Sequence, residues 1–119
     1  MKISRGEVVL LDFPFSDATG GKVRPAVVVQ NDRCNRRLNS TLVVLITKTV
    51  HRARREPTQF FIEVASPAGK LSGLHVDSAI VCTSLYTVHQ DFITYRIGRL
   101  HDDFLPLLDD CLKIALAIA

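Results

Sequence analysis

Gly20-Gly21-Lys22-Val23-Arg24-Pro25-Ala26-Val27-Val28-Val29-Gln30-Asn31-Asp32 is the stretch around which this chain is organised. Its two glycines reach backbone angles closed to other residues and so make a turn. The β-branched run behind them is comfortable only as a largely buried strand. Pro25 has no N–H, which places it at the first residue of that strand or on a sheet edge. Arg24 therefore falls where a loop meets a rigid strand, the position at which a scaffold presents a charge for function.

Upstream, Glu7–Phe13 is apolar apart from its ends and reads as a first strand, with Arg5-Gly6 as the turn leading into it. Residues 14–21 have loop composition and are long for a hairpin connection, as functional or disordered loops are. Downstream, strand two runs from Arg24 to Gln30, and Asn31–Asn39 is a polar loop holding Arg33, Arg36 and Arg37. Thr41–Thr47 is a third, buried strand. A basic loop from His51 follows, with Arg52, Arg54 and Arg55, closed by Pro57. Thr58–Val64 alternates polar and apolar residues, as a strand with one wet face does. Ser66–Gly73 is a loop, Ser78–Leu85 a strand, and Ile93–Leu100 holds a shorter one.

Leu105, Leu108, Leu112, Ala115 and Leu116 recur at helical spacing after Asp102-Asp103. Asp102 is the expected N-cap, and Pro106 fits in the first turn. Short strands, frequent turn signals and one terminal helix give a mainly β fold with a C-terminal α-helix. The expected architecture is a small, strongly bent sheet or barrel forming one domain over residues 1–119.

Composition excludes several classes. Of 119 residues, 47% are hydrophobic and 23% charged, which is globular rather than disordered. No apolar run reaches the roughly 18 residues of a membrane span, and no apolar stretch follows the N-terminal Met1-Lys2-Ile3-Ser4-Arg5. Neither membrane nor export is indicated, so the expected location is cytoplasmic. Cys34, Cys82 and Cys111 show no paired spacing, so neither a zinc knuckle nor a redox pair is suggested and the three read as structural or incidental. The net charge of +3 is unevenly spread: residues 1–55 hold eleven Lys/Arg against four Asp/Glu, residues 56–119 four against eight. This imbalance fits either a polyanionic partner such as nucleic acid or a solvated basic face.

Among candidate chemistries, His51, His75, His89 and His101 share no spacing that fixes two of them on one face, which weakens a histidine-pair ribonuclease. No clustered carboxylates or H-x-x-x-H motif indicates a metal. The stronger constellation is Arg24 at the start of strand two with Thr47 at the end of strand three. If those strand ends coincide, a five-donor guanidinium and a hydroxyl converge, a pair suited to a phosphate. Lys22, Lys48, Arg52, Arg54 and Arg55 would then line a track for a phosphodiester backbone.

Arg5-Gly6-Glu7-Val8-Val9, Gly21-Lys22-Val23-Arg24-Pro25-Ala26-Val27-Val28-Val29-Gln30-Asn31-Asp32, Leu45-Ile46-Thr47, and Tyr95-Arg96-Ile97-Gly98-Arg99-Leu100 before an amphipathic helix follow one another along the chain. In that order they resemble the signature blocks of the MazF/PemK toxin family. The resemblance implies a small SH3-like β-barrel with helices, shared with CcdB-like proteins, and a homodimer. It also implies a toxin of a type II toxin–antitoxin system: a metal-independent, sequence-selective endoribonuclease that cuts single-stranded RNA. Arg24 and Thr47 match the family's catalytic positions, where the RNA 2′-hydroxyl attacks phosphorus to leave a 2′,3′-cyclic phosphate and a 5′-hydroxyl. A MazE-like antitoxin with an acidic segment is the implied partner.

The chain departs from the family where many members carry Gln-Ile-Arg-Thr and this one has Ser84-Leu85-Tyr86-Thr87. Ser84 and Tyr86 are therefore further candidates for RNA contact, Tyr86 either stacking on a base or packing on its own strand. Two other readings stay open. One is a CcdB-like toxin that binds gyrase without cutting RNA, the other a weakened homologue that binds RNA or antitoxin without turnover.

Overall fold

The computed structural model describes residues 2–13 and 22–119. Six strands form one antiparallel sheet: β1 (Glu7–Phe13), β2 (Lys22–Val28), β3 (Ser40–Thr47), β4 (Gln59–Ile62), β5 (Ser78–His89) and β6 (Ile93–Arg99), in the order β4-β5-β3-β2-β1-β6. The sheet is not closed, since β4 and β6 are its two edges, so the expected barrel is an open, bent sheet. Three helices accompany it: α1 (Asp32–Arg37), α2 (Pro67–Lys70) and α3 (Leu105–Leu116).

Alternation along the central strands builds two cores. On one face Val8, Val27, Val29, Val44 and Ile46 pack with Phe60, Ile62, Ile80 and Cys82 against Leu108 and Cys111 of α3. On the other, Val9, Leu11, Ala26, Val28 and Val43 gather with Ile3, Val88 and Ile93. Strands buried on both faces explain why β2 and β3 read as unbroken apolar runs. The predicted stripe of α3 faces the first core through Leu105, Leu108, Leu112 and Ala115, but Leu116, on the last turn, is exposed. Asp102 is not its N-cap. A 3-10 turn over Asp102–Phe104 precedes α3, and His101 caps it through Nδ1, which accepts from the Asp103 N–H at 3.0 Å.

Pro25 is neither first in its strand nor on an edge: it lies inside β2, opposite Leu10 of β1. Its missing donor is tolerated because the β2–β3 ladder covers only Ala26–Val28. The Val29 N–H donates to Leu42 of β3, so alternation points the Pro25 nitrogen toward β3 as well, one residue beyond the ladder. The two strands are thus hydrogen-bonded at one end and parted at the other. β5 is irregular at the same level. Val44 faces Leu85 while its neighbour Leu45 faces Val81, which leaves Cys82, Thr83 and Ser84 as a bulge with no β3 partner.

Candidate active site

The parting of β2 and β3 opens a cleft of about 560 Å³ walled by Val23, Arg24 and Pro25 on one side and Leu45–Thr49 on the other. Ala26 faces Leu45 in the ladder, so two residues further on Arg24 and Thr47 are counterparts, each half-buried. Strand alternation puts Arg24 on the side of Ala26 and Val28, and Thr47 on the side of Leu45 and Val43, the same face of the sheet. Arg24 is held from behind by pairing with Leu11 of β1, and Thr47 by pairing with Ala79 of β5. The Thr47 hydroxyl accepts from the Thr49 N–H at 3.1 Å, which fixes its rotamer and leaves its own O–H to donate.

The cations of this protein fall into two groups. Arg5 pairs with Asp109 at 2.8 Å, Arg96 with Glu7 at 3.0 Å and Arg99 with Asp102 at 3.7 Å. Among the described residues no carboxylate pairs with Arg24, and none lines the cleft. An arginine fork and a hydroxyl donor facing one cavity without a counter-ion form a receptor for an anionic oxygen. Among the described residues no three His, Cys, Asp or Glu side chains come together as a metal-binding group.

Over residues 4–116 the chain matches the family described as PemK-like, MazF-like toxin of type II toxin-antitoxin system. It belongs to that family. It is 32% identical over 119 residues to endoribonuclease EndoA of Bacillus subtilis (strain 168), covering 99% of this chain and 97% of the relative. Its fold is similar to that of a mycobacterial endoribonuclease solved in complex with its cognate antitoxin, with a TM-score of 0.76 at 19% identity over 98% of this chain and 97% of the other. It is also similar to MazE–MazF (Form-III) from Deinococcus radiodurans, with a TM-score of 0.72 at 20% identity over the whole of both chains.

The MazF-like fold brings together some of the residues singled out in the sequence and keeps others apart. Arg24, Thr47, Lys48 and Ser84 line the cleft, Ser84 because the β5 bulge turns it there. Lys22 opens β2, with its side chain outside the described residues. Arg52, Arg54 and Arg55 do not reach the cleft but stand exposed on the turn that follows its Thr47–Thr49 wall. Tyr86 is exposed on β5, opposite Val43, and does not line the cleft. Residues 14–21, read as a functional loop, lie outside the described residues.

The sequence reading did not single out Ser78, and it weighed His75 only as one of four histidines without a shared spacing. Both come from the segment after α2, which is brought to the cleft by contacts remote in sequence. Gly73 has φ +73°, and a Cβ there would collide with the Ile97 carbonyl of β6. The Arg99 N–H donates to Leu71 at 2.9 Å, and Asp77 accepts from the Val64 N–H at 3.0 Å. The one sequence signal was Gly73, a residue able to adopt the left-handed backbone beside a histidine.

Proposed function

We propose that this chain is the endoribonuclease toxin of a toxin–antitoxin pair, a single-domain protein that dimerises and acts on single-stranded RNA in the cytoplasm without a metal. The observation that carries this reading is the meeting of Arg24 and Thr47 in one cleft with no described carboxylate beside them. The nucleophile belongs to the substrate: the ribose 2′-hydroxyl attacks the adjacent phosphorus, giving a 2′,3′-cyclic phosphate and a 5′-hydroxyl. The protein then has to hold the phosphate and stabilise charge developing on its oxygens, work suited to the Arg24 fork and the Thr47 hydroxyl.

Lys48 and Ser84 extend the phosphate contacts inside the cleft, Arg52, Arg54 and Arg55 continue the positive track outside it, and Lys22, the first residue of β2, is a further RNA-binding cation. Tyr86 offers a ring for base stacking beyond the cleft. The partner is a MazE-like antitoxin whose acidic segment covers the basic track, by charge complementarity. The solved structures of similar fold include an endoribonuclease with its cognate antitoxin and a MazE–MazF structure.

The test is incubation of the purified protein with single-stranded RNA in excess chelator, followed by mapping of the ends. Cyclic phosphates at defined positions support the proposal. Intact RNA, alone or together with stalled gyrase, refutes it.

A further inference from the structure

We propose that His75 is the general base of RNA cleavage in this chain, taking the proton of the attacking 2′-hydroxyl; the inference rests on the nuclease reading above. Transfer of phosphorus from a 5′-oxygen to a 2′-oxygen requires a group that accepts a proton. Three of the described cleft residues carry basic side chains: Arg24, Lys48 and His75. Guanidinium does not deprotonate in proteins, and an ammonium at neutral pH donates but does not accept. Imidazole alone of the three accepts a proton at pH 7.

Position separates His75 from the chain's other histidines. The Nδ1 atoms of His89 and His101 accept backbone N–H groups at 3.1 and 3.0 Å, capping short turns. His51 lies on the exposed basic turn and does not line the cleft. His75 lines the cleft with Arg24 and Thr47, on a segment held at Gly73 against β6 and at Asp77 against Val64. Among the described residues, the charged groups it shares the cleft with are Arg24 from β2 and Lys48 beyond β3, both cationic; Asp77, two residues on, is engaged by the Val64 N–H.

In the step, neutral His75 removes the 2′-hydroxyl proton as the 2′-oxygen bonds to phosphorus. The bond from phosphorus to the 5′-oxygen breaks, and that oxygen keeps the electron pair and takes a proton from water. The resulting hydroxide collects the proton from the imidazolium, which restores the base.

The experiment measures kcat and KM of wild type, His75→Ala, His75→Gln and Arg24→Ala on a short single-stranded oligonucleotide containing a mapped cut site, from pH 5.5 to 9. Both His75 variants should lose at least about 10²-fold in kcat with KM nearly unchanged. The wild-type rise of rate with pH should flatten in both. Added imidazole should restore part of the rate to His75→Ala and none to Arg24→Ala. Wild-type rates, or an unchanged pH profile with no imidazole rescue, would overturn the assignment while leaving the nuclease reading intact. A wild-type protein that cuts no single-stranded RNA would overturn both.

Discussion

The two ends of the β2–β3 pair solve opposite problems. At the end where β2 runs out, the polar side chains of Gln30, Asn35, Thr41 and Gln90 are all hydrogen-bonded. Gln30 Nε2 donates to Asn35 Oδ1 at 2.9 Å and to the Ser40 carbonyl at 3.0 Å, Asn35 Nδ2 donates to the Gln30 carbonyl at 3.0 Å, and the Thr41 hydroxyl donates to Asn35 Oδ1 at 2.7 Å. Gln90 Nε2 closes the set against the Asn35, Leu38 and Ser40 carbonyls. At the other end the strands part, and Arg24 faces the cleft with no described carboxylate to neutralise it. One run of sequence, from Lys22 to Asp32, thus supplies an unsatisfied end for chemistry and a saturated end for stability. Satisfied buried networks fix a fold, whereas charge left unpaired at a cavity is available to a ligand.

Substitutions at the two ends should therefore fail in different assays. The largest expected effect is Arg24→Ala, which should cost about 10²–10³-fold in RNA cleavage while moving Tm little; a large drop in Tm would break the division. Asn35→Ala should do the reverse. It orphans the buried Thr41 hydroxyl and removes three further bonds, so denaturant unfolding should show a loss on the order of 2 kcal/mol with activity kept per folded molecule. Thr47→Val keeps the shape and removes one donor, for an expected loss of about tenfold in cleavage, near the value of one hydrogen bond.

The smallest effect at neutral pH concerns the first core, which belongs to neither end. Burial there pushes the Cys82 thiol up to about 12 from 9.0, with neighbouring Cys111 adding to the rise. A pKa raised in the folded state means that the unfolded chain ionises first. The contribution is therefore complete below pH 9 and is lost as pH climbs from 9 toward 12. The denaturant midpoint of Cys82→Ala should fall less steeply than that of wild type over that window; equal slopes would count against the burial of this thiol.

Much of the fold was legible because its signals are local. β1 ends where its apolar run placed it, β3 and β6 lie within a residue of their expected bounds, and the spacing of Leu105, Leu108 and Leu112 marks the buried face of α3. The helices α1 and α2, of 6 and 4 residues, are too short to show a 3.6-residue period. They are set by caps, Asn31 accepting from the Cys34 N–H at 2.8 Å and Ser66 from the Gly69 N–H at 2.9 Å. The length of β5 was hidden by its bulge. Of the candidate site, the meeting of Arg24 and Thr47 in one cleft was legible because antiparallel strands in register bring such ends together. His75 was not, since its place depends on Gly73 packing against Ile97, a contact with no trace in local pattern. The Arg52–Arg55 run was legible as charge but not as position.

Pro25 has one more consequence. A seam between two strands ordinarily zips until turns or side chains stop it, and a few substitutions suffice to move the stopping point. Here the next tooth of the zipper is absent from the covalent chain, so β3 has nothing to accept from at that level however its side chains change. The mouth of the cleft is propped open by an imide nitrogen, and its walls are free to vary in sequence without sealing it.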